Sequence, residues 1–301
     1  MNCVIIGSTK IAEVHAEQLI NNGVKEVTFV SRSIKKRKKI ISNVKGKISK
    51  KVSFFHSDIN VLKKNFFNII CICSNTKIHD KHLKIAHKFK SVIIIEKPII
   101  SLLKFKDNYE NILKNFYKKN KKIIVCYPFL FLAESFKKFS SNDSKIKKIS
   151  FDFQTGGKEN YKNICINLMP HALTFFHIFL KTNIFKRKVT FKDLLVKKNQ
   201  WRATLNFDNF VIKINLKENL FKKTILKIRY NNLLLVRKTK LQKNNFINYI
   251  VNQKTKKEYI INNPMGTFYK RLFMNINNKN FYHKNKILTF NVMKINNFLL
   301  N

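Results

Sequence analysis

Val4-Ile5-Ile6-Gly7-Ser8-Thr9-Lys10-Ile11-Ala12 is a β-branched run that stops at a glycine and passes directly into helical spacing, with apolar residues recurring over 11–21. A strand that turns on glycine into a helix leaves unpaired N–H groups and the positive end of a helix dipole at the strand's carboxyl end. The rhythm repeats outward from there. Short apolar, β-branched runs at 27–30, 52–55, 67–73, 91–95 and 122–127 alternate with helical patterns from 34 onward, at 79–88 and at 101–119. Alternation of this kind predicts a doubly wound parallel sheet with right-handed crossovers and helices on both faces.

Past Tyr127 the rhythm changes. Residues 149–154 read as a strand, and 170–180 read as an apolar helix with Pro170 at its start. Extended runs follow at 189–197, 202–207, 210–216, 225–230 and 232–236, with turn signals at 207–210 and 230–233. Helical patterns at 267–278 and 288–300 close the chain. The expectation is α/β overall: a dinucleotide-binding domain over 1–124, then an α+β domain over 125–301 with a mainly antiparallel open sheet.

Composition narrows the class. The 301 residues are 45% hydrophobic and 13% aromatic with only 6 Gly and 4 Pro, which excludes disordered and collagenous chains. The 61 Lys+Arg against 16 Asp+Glu give a net charge of +45. Lysines are scattered from end to end, and the arginines (Arg32, Arg37, Arg187, Arg202, Arg229, Arg237, Arg271) share no segment. Sequence-specific nucleic-acid contact favours clustered arginine, so this charge reads as the drift of an AT-biased genome, with weak, non-specific polyanion binding as its consequence. The five cysteines suit small buried hydrophobes in a reducing compartment, and strand alternation puts Cys71 and Cys73 on one face. No basic-then-apolar leader opens the sequence and no run is long enough to span a bilayer. The reading is a cytoplasmic protein with no membrane partner and no metal site.

The chemistry-bearing motifs lie at strand ends. Gly7 to Ala12 fits the dinucleotide-binding GxGxxA pattern except at Thr9. A positive φ at Thr9 would cost about 1–2 kcal/mol. Gly7, Ser8, Thr9, Lys10 and Ile11 are thus candidates for the pyrophosphate. The second strand runs into Ser31-Arg32-Ser33 with no carboxylate to accept from the ribose hydroxyls, and Ser31 and Arg32 suit a 2′-phosphate instead, favouring NADP with NAD possible. Ser74, Asn75 and His79 follow one strand, and Glu96-Lys97-Pro98 follow the next. His82 and His87 read as residues of a surface helix.

Taken in series, Gly7 to Ala12, the Asn75 and His79 pair, and Glu96-Lys97-Pro98 after a β-branched strand resemble the Gfo/Idh/MocA oxidoreductases. Asn167-Leu168-Met169-Pro170-His171, opening an apolar helix, is similar to that family's Asp-x-Gly-x-His segment. The resemblance implies a Rossmann domain, an α/β substrate domain whose open sheet serves oligomerisation (a homodimer or homotetramer), and hydride transfer between a nicotinamide and a sugar, cyclitol or related carbonyl. It implies Lys97 and His171 as the polar catalytic pair and adds Glu96 and Lys97 to the cofactor residues. Asn167, Tyr127 and Thr174 become candidates for substrate contact. Three positions depart from the pattern: Asn167 replaces an acid, Met169 replaces a glycine, and Thr174 stands where a further acid is often found. They predict a site poor in carboxylates. Two alternatives therefore stay open, a catalytically retired homologue and a polyanion binder.

Overall fold

The computed structural model describes residues 1–139, 148–180, 184–186, 188–207, 210–230, 233–242 and 245–300. The turn residues expected at 208–209 and 231–232 lie outside them. The chain forms two compact units. One is Met1–Cys126 with Phe268–Asn291, and the other is Tyr127–Thr267 with Val292–Asn301. The expected division into 1–124 and 125–301 thus differs from the one observed, because a late segment returns to the first unit.

In the first unit the elements run β1 (Asn2–Ile6), α1 (Lys10–Asn21), β2 (Glu26–Val30), α2 (Ile34–Lys45), β3 (Ser53–Ser57), α3 (Val61–Lys64), β4 (Ile69–Ile72), α4 (His79–Ala86), β5 (Val92–Ile95), α5 (Leu102–Phe105), α6 (Tyr109–Lys119) and β6 (Ile123–Val125). The six strands are parallel in the order β3-β2-β1-β4-β5-β6, reversing direction of growth between β1 and β4. Strands β4, β5 and β6 are buried throughout, which explains their unbroken apolar runs. The single helix expected over 101–119 is two, α5 and α6. The edge of β6 is closed by a side chain: Val125 N–H donates to Asn285 Oδ1 at 2.9 Å, and Asn285 Nδ2 returns a bond to the Val125 carbonyl at 3.0 Å.

The second unit contains α7 (Phe129–Lys137), β7 (Lys148–Thr155), α8 (Lys162–Phe179), β8 (Val189–Lys197), β9 (Gln200–Phe207), β10 (Phe210–Glu218), β11 (Ile225–Tyr230), β12 (Leu233–Gln242), β13 (Asn245–Asn252) and β14 (Glu258–Ile261), and the chain ends in α9 (Pro264–Met274) and α10 (Lys279–Phe298). Its eight strands are ordered β14-β13-β12-β11-β7-β10-β9-β8, antiparallel except for the β7–β10 pair. Strict alternation on β10 buries Phe210, Ile212, Ile214, Leu216 and Glu218 in one row. Helix α7 and strands β13 and β14 are additions to the sequence reading.

Helix α8 corrects another expectation, since Pro170 lies inside it instead of starting it. Proline removes the N–H that would serve the carbonyl four residues earlier, here Ile166. That carbonyl is served from elsewhere: Asn296 Nδ2 donates to it at 3.3 Å. The helix continues through its proline because a distant amide satisfies the orphaned acceptor.

Candidate active site

In the first unit, the expected cofactor residues gather where β1, β2 and β4 end. Gly7 N–H donates to the Val30 carbonyl at 2.9 Å, and Cys73 N–H donates to the Ile6 carbonyl at 2.8 Å, so the three strand ends are laced together. Gly7 has φ +140°, and a Cβ there would stand 2.6 Å from the Cys73 carbonyl oxygen. Only glycine fits, on both conformational and steric grounds. Thr9 is the N-cap of α1 with φ −101°, and its side chain makes no capping bond. The strain anticipated at Thr9 is therefore absent, and the Thr9 side chain leaves the N–H groups at the start of α1 uncapped, the arrangement in which a helix N-terminus can receive an anion.

At the end of β2, Ser31 Oγ donates to the Ser33 carbonyl at 3.2 Å and Arg32 is exposed. The neighbouring Arg37 is buried and braces the loop, with Nη1 donating to the carbonyls of Ser31, at 2.7 Å, and Ser57. At the end of β4, Asn75 Oδ1 accepts from Lys77 N–H at 2.9 Å. His79 is fully buried, with Nδ1 2.9 Å from the Pro98 carbonyl and Nε2 2.9 Å from the Ser74 carbonyl. It ties the loop after β4 to the loop after β5. Burial lowers its pKa although both carbonyls oppose the shift. Ser74 Oγ also meets His82 Nδ1 at 2.8 Å, so His82 is half-buried and not on the open helix surface that its sequence position suggests.

Glu96 is gripped by a histidine that sequence reasoning passed over. His15 is fully buried on the face of α1 that carries Ala12, Ala16 and Leu19, and its Nε2 stands 2.8 Å from Glu96 Oε1 while Nδ1 meets the Tyr269 hydroxyl. A histidine in an apolar helical row was the available signal. Burial works against the charged imidazole, but Cys71 and Glu96 overcome it and raise the pKa to about 10. Burial likewise pushes Glu96 upward, and the His15 hydrogen bond, with Lys97 nearby, holds it below the usual carboxylate value. The pair is thus an internal salt bridge. Donor atoms of His15, Cys71 and Cys73, and of His15, Glu96 and Cys126, come within 4.8 Å of one another, a set that could hold a soft ion. In the fold as it stands, Tyr269 and Glu96 engage both ring nitrogens of His15. Lys97, half-buried, follows Glu96 before a cis peptide to Pro98.

In the second unit, α8 is buried nearly all round, and Asn163, Asn167 and His171 form its partly exposed stripe at four-residue spacing. The His171 ring lies between Phe129, with centroids 4.2 Å apart, and Phe153, edge-on at 5.5 Å. Asn167 Nδ2 donates to Glu218 Oε1 at 2.5 Å. A carboxylate therefore does join this site, from β10 rather than from α8, contrary to the acid-poor expectation. Thr174 is fully buried and its hydroxyl donates to the Pro170 carbonyl at 2.7 Å, so it serves its own helix. Tyr127 is likewise buried.

These features define a dinucleotide-binding α/β chain with a polar helix stripe in its second unit. Residues 1–127 match the GFO_IDH_MocA model, an oxidoreductase family with an NAD-binding Rossmann fold. A search of curated proteins finds no match. Among solved structures, the chain is similar to the 3-ketoreductase KijD10 of Actinomadura kijaniata, in complex with NADP (TM-score 0.69, 10% identity, 98% of this chain and 96% of that one). It is also similar to the dehydrogenase MviM of Clostridium difficile (0.63, 15%, 93% and 91%). A third is the UDP-N-acetylglucosamine 3-dehydrogenase GnnA of Acidithiobacillus ferrooxidans (0.62, 10%, 98% and 95%). No helix among the described residues is long and apolar enough to cross a membrane.

Proposed function

We propose that the chain is an NADP(H)-dependent oxidoreductase that moves hydride between a nicotinamide and the hydroxyl-bearing or carbonyl carbon of a sugar, nucleotide sugar or cyclitol. The observation that carries this reading is the cradle formed where Gly7 packs against the Cys73 carbonyl beside the uncapped start of α1, a close backbone approach that a Cβ would block. Arg32, exposed at the end of β2 with no carboxylate beside it in sequence, favours a 2′-phosphate. The names of KijD10 and GnnA support the substrate class.

The bound nicotinamide would supply or accept the hydride. In the oxidising direction His171 takes the hydroxyl proton, a task for which an imidazole is suited near neutral pH. Lys97 is suited to stabilise negative charge that develops on a substrate oxygen. In reduction the two groups reverse these roles. Retirement of the site is the weaker reading, because Thr9 is unstrained and a carboxylate reaches Asn167.

Titrating NADPH and NADH against the protein, then assaying a panel of nucleotide sugars, free sugars and inositols by NADPH absorbance, tests the proposal. Lys97→Ala and His171→Ala should each lower turnover by roughly 100-fold or more. NADPH binding that never saturates below millimolar overturns the enzyme reading, and full activity in Lys97→Ala overturns the role of that residue.

A further inference from the structure

Strand β10 places apolar side chains at every inward position until its last, where Glu218 stands, only 3% exposed, at the end of the Phe210, Ile212, Ile214 and Leu216 row. Removing a carboxylate from water costs several kcal/mol unless it is well paired, and an apolar residue in such a row is often as stable or more so. Among the described residues no cation pairs with Glu218. Its partners are neutral: Oε1 accepts from Asn167 Nδ2 at 2.5 Å, and Oε2 accepts from the Glu159 N–H at 2.7 Å. The adjoining loop is shaped around it, since a Cβ at Gly157 would lie 1.9 Å from Oε2. A buried acid held by two neutral donors, in a cradle kept clear by glycine, is better explained by what it holds than by stability.

What it holds is Asn167, partly exposed and one helical turn from His171. We propose that Glu218 is a positioning residue of the substrate site, fixing the Asn167 amide with its nitrogen toward β10 so that the amide and His171 meet a hydroxylated substrate in one set orientation. The inference rests on the oxidoreductase reading above and adds the group that sets the geometry of its substrate side. A charge-assisted bond to the amide excludes the flipped rotamer, in which two oxygens would face each other.

The logic of donors and acceptors supplies the test. In Glu218→Gln one of the two facing donors meets an NH2 group instead of an oxygen. In the exchanged double variant Asn167→Asp/Glu218→Gln, the new amide on β10 can donate its NH2 to the new carboxylate on α8 while its oxygen still accepts from the Glu159 N–H, so complementarity returns. With wild type assayed on the nucleotide-sugar and inositol panel, Glu218→Gln should raise KM for the organic substrate about tenfold or more and leave KM for NADPH unchanged. The double variant should come back to within about threefold of wild type, a coupling that separate effects would not give. Gly157→Ala, which displaces the carboxylate without changing any polar group, should move KM in the direction of Glu218→Gln. An unchanged KM in Glu218→Gln overturns the proposal, as does a double variant that regains its melting temperature but not its KM. If Glu218→Gln fails to fold, the double variant and Gly157→Ala decide on the same criteria. A wild-type protein that turns over nothing defeats the oxidoreductase reading and this inference with it. One that turns over while Glu218→Gln is silent defeats this inference alone.

Discussion

Glu96 and Glu218 occupy equivalent places in two different sheets, each at the carboxyl end of a strand that is otherwise apolar on its inward side, yet they are accommodated by opposite means. Glu96 is matched by a cation, His15, inside the first unit's core. Glu218 is matched by an amide and a backbone N–H. A buried pair of opposite charges is self-contained, and its removal is read mainly in stability. A buried charge leaning on neutral donors keeps its field and fixes whatever donates to it, so its removal is read mainly at the donor. The first carboxylate belongs to the scaffold that sets the strand ends, and the second belongs to the group presented there.

The largest expected effect comes from breaking the scaffold pair. His15→Leu or Glu96→Leu leaves one charge buried without its partner and should destabilise by about 3–5 kcal/mol, measured by denaturant unfolding. The double replacement His15→Leu/Glu96→Leu should recover most of that loss. If each single variant unfolds at the wild-type midpoint, the salt bridge is not what holds these strand ends.

The pH dependence follows from the same pair. His15 has a folded pKa raised to about 10, so its contribution is complete below the unfolded value near 6.5 and is lost as pH rises from there toward 10. Glu96 is held below its ordinary value, so its contribution is present above about 4.5 and disappears as pH falls through the lowered one. The stability difference between wild type and His15→Leu should therefore shrink between about pH 7 and about pH 10. A difference that is flat over this range would mean that His15 is neutral in the fold.

Glu218→Gln tests the other side of the comparison. Its expected loss is smaller, about 1–3 kcal/mol for a donor left facing a donor, and it should not follow the pH dependence of the His15 pair. A loss as large as that of Glu96→Leu would place Glu218 among the structural residues too.

The first sheet was legible because its information is local. Each strand of the sheet except β3, whose Ser53–Ser57 segment holds no β-branched residue, is a short β-branched run followed within a few residues by glycine or helical spacing, and Gly7 signals its own turn. What escaped reading depends on partners far along the chain. Pro170 reads as a helix start until Asn296 supplies the missing donor to Ile166. Asn167 reads as a lost acid until Glu218, 51 residues on, is set against it. His15 reads as one more polar helix residue until Glu96 meets it from the end of β5. Helix α7 opens on so apolar a run that periodicity cannot separate helix from strand, in β13 three asparagines blur the alternation, and β14 is only four residues long.

The smallest effect on stability belongs to a charge that is not buried at all. Arg32 is exposed at the end of β2, so Arg32→Ala should leave the unfolding midpoint within about 0.5 kcal/mol of wild type. The same substitution should weaken NADPH about tenfold and NADH hardly at all, since a charge-assisted bond to the 2′-phosphate is worth about 1.5–3 kcal/mol. The scaffold pair would then be separated from the exposed charge by what each answers to: His15 and Glu96 to the fold, Arg32 to the ligand. Equal loss of both dinucleotides in Arg32→Ala would remove the preference for NADP while leaving the cradle at Gly7 untouched, because that cradle rests on backbone geometry that no side chain at position 32 supplies.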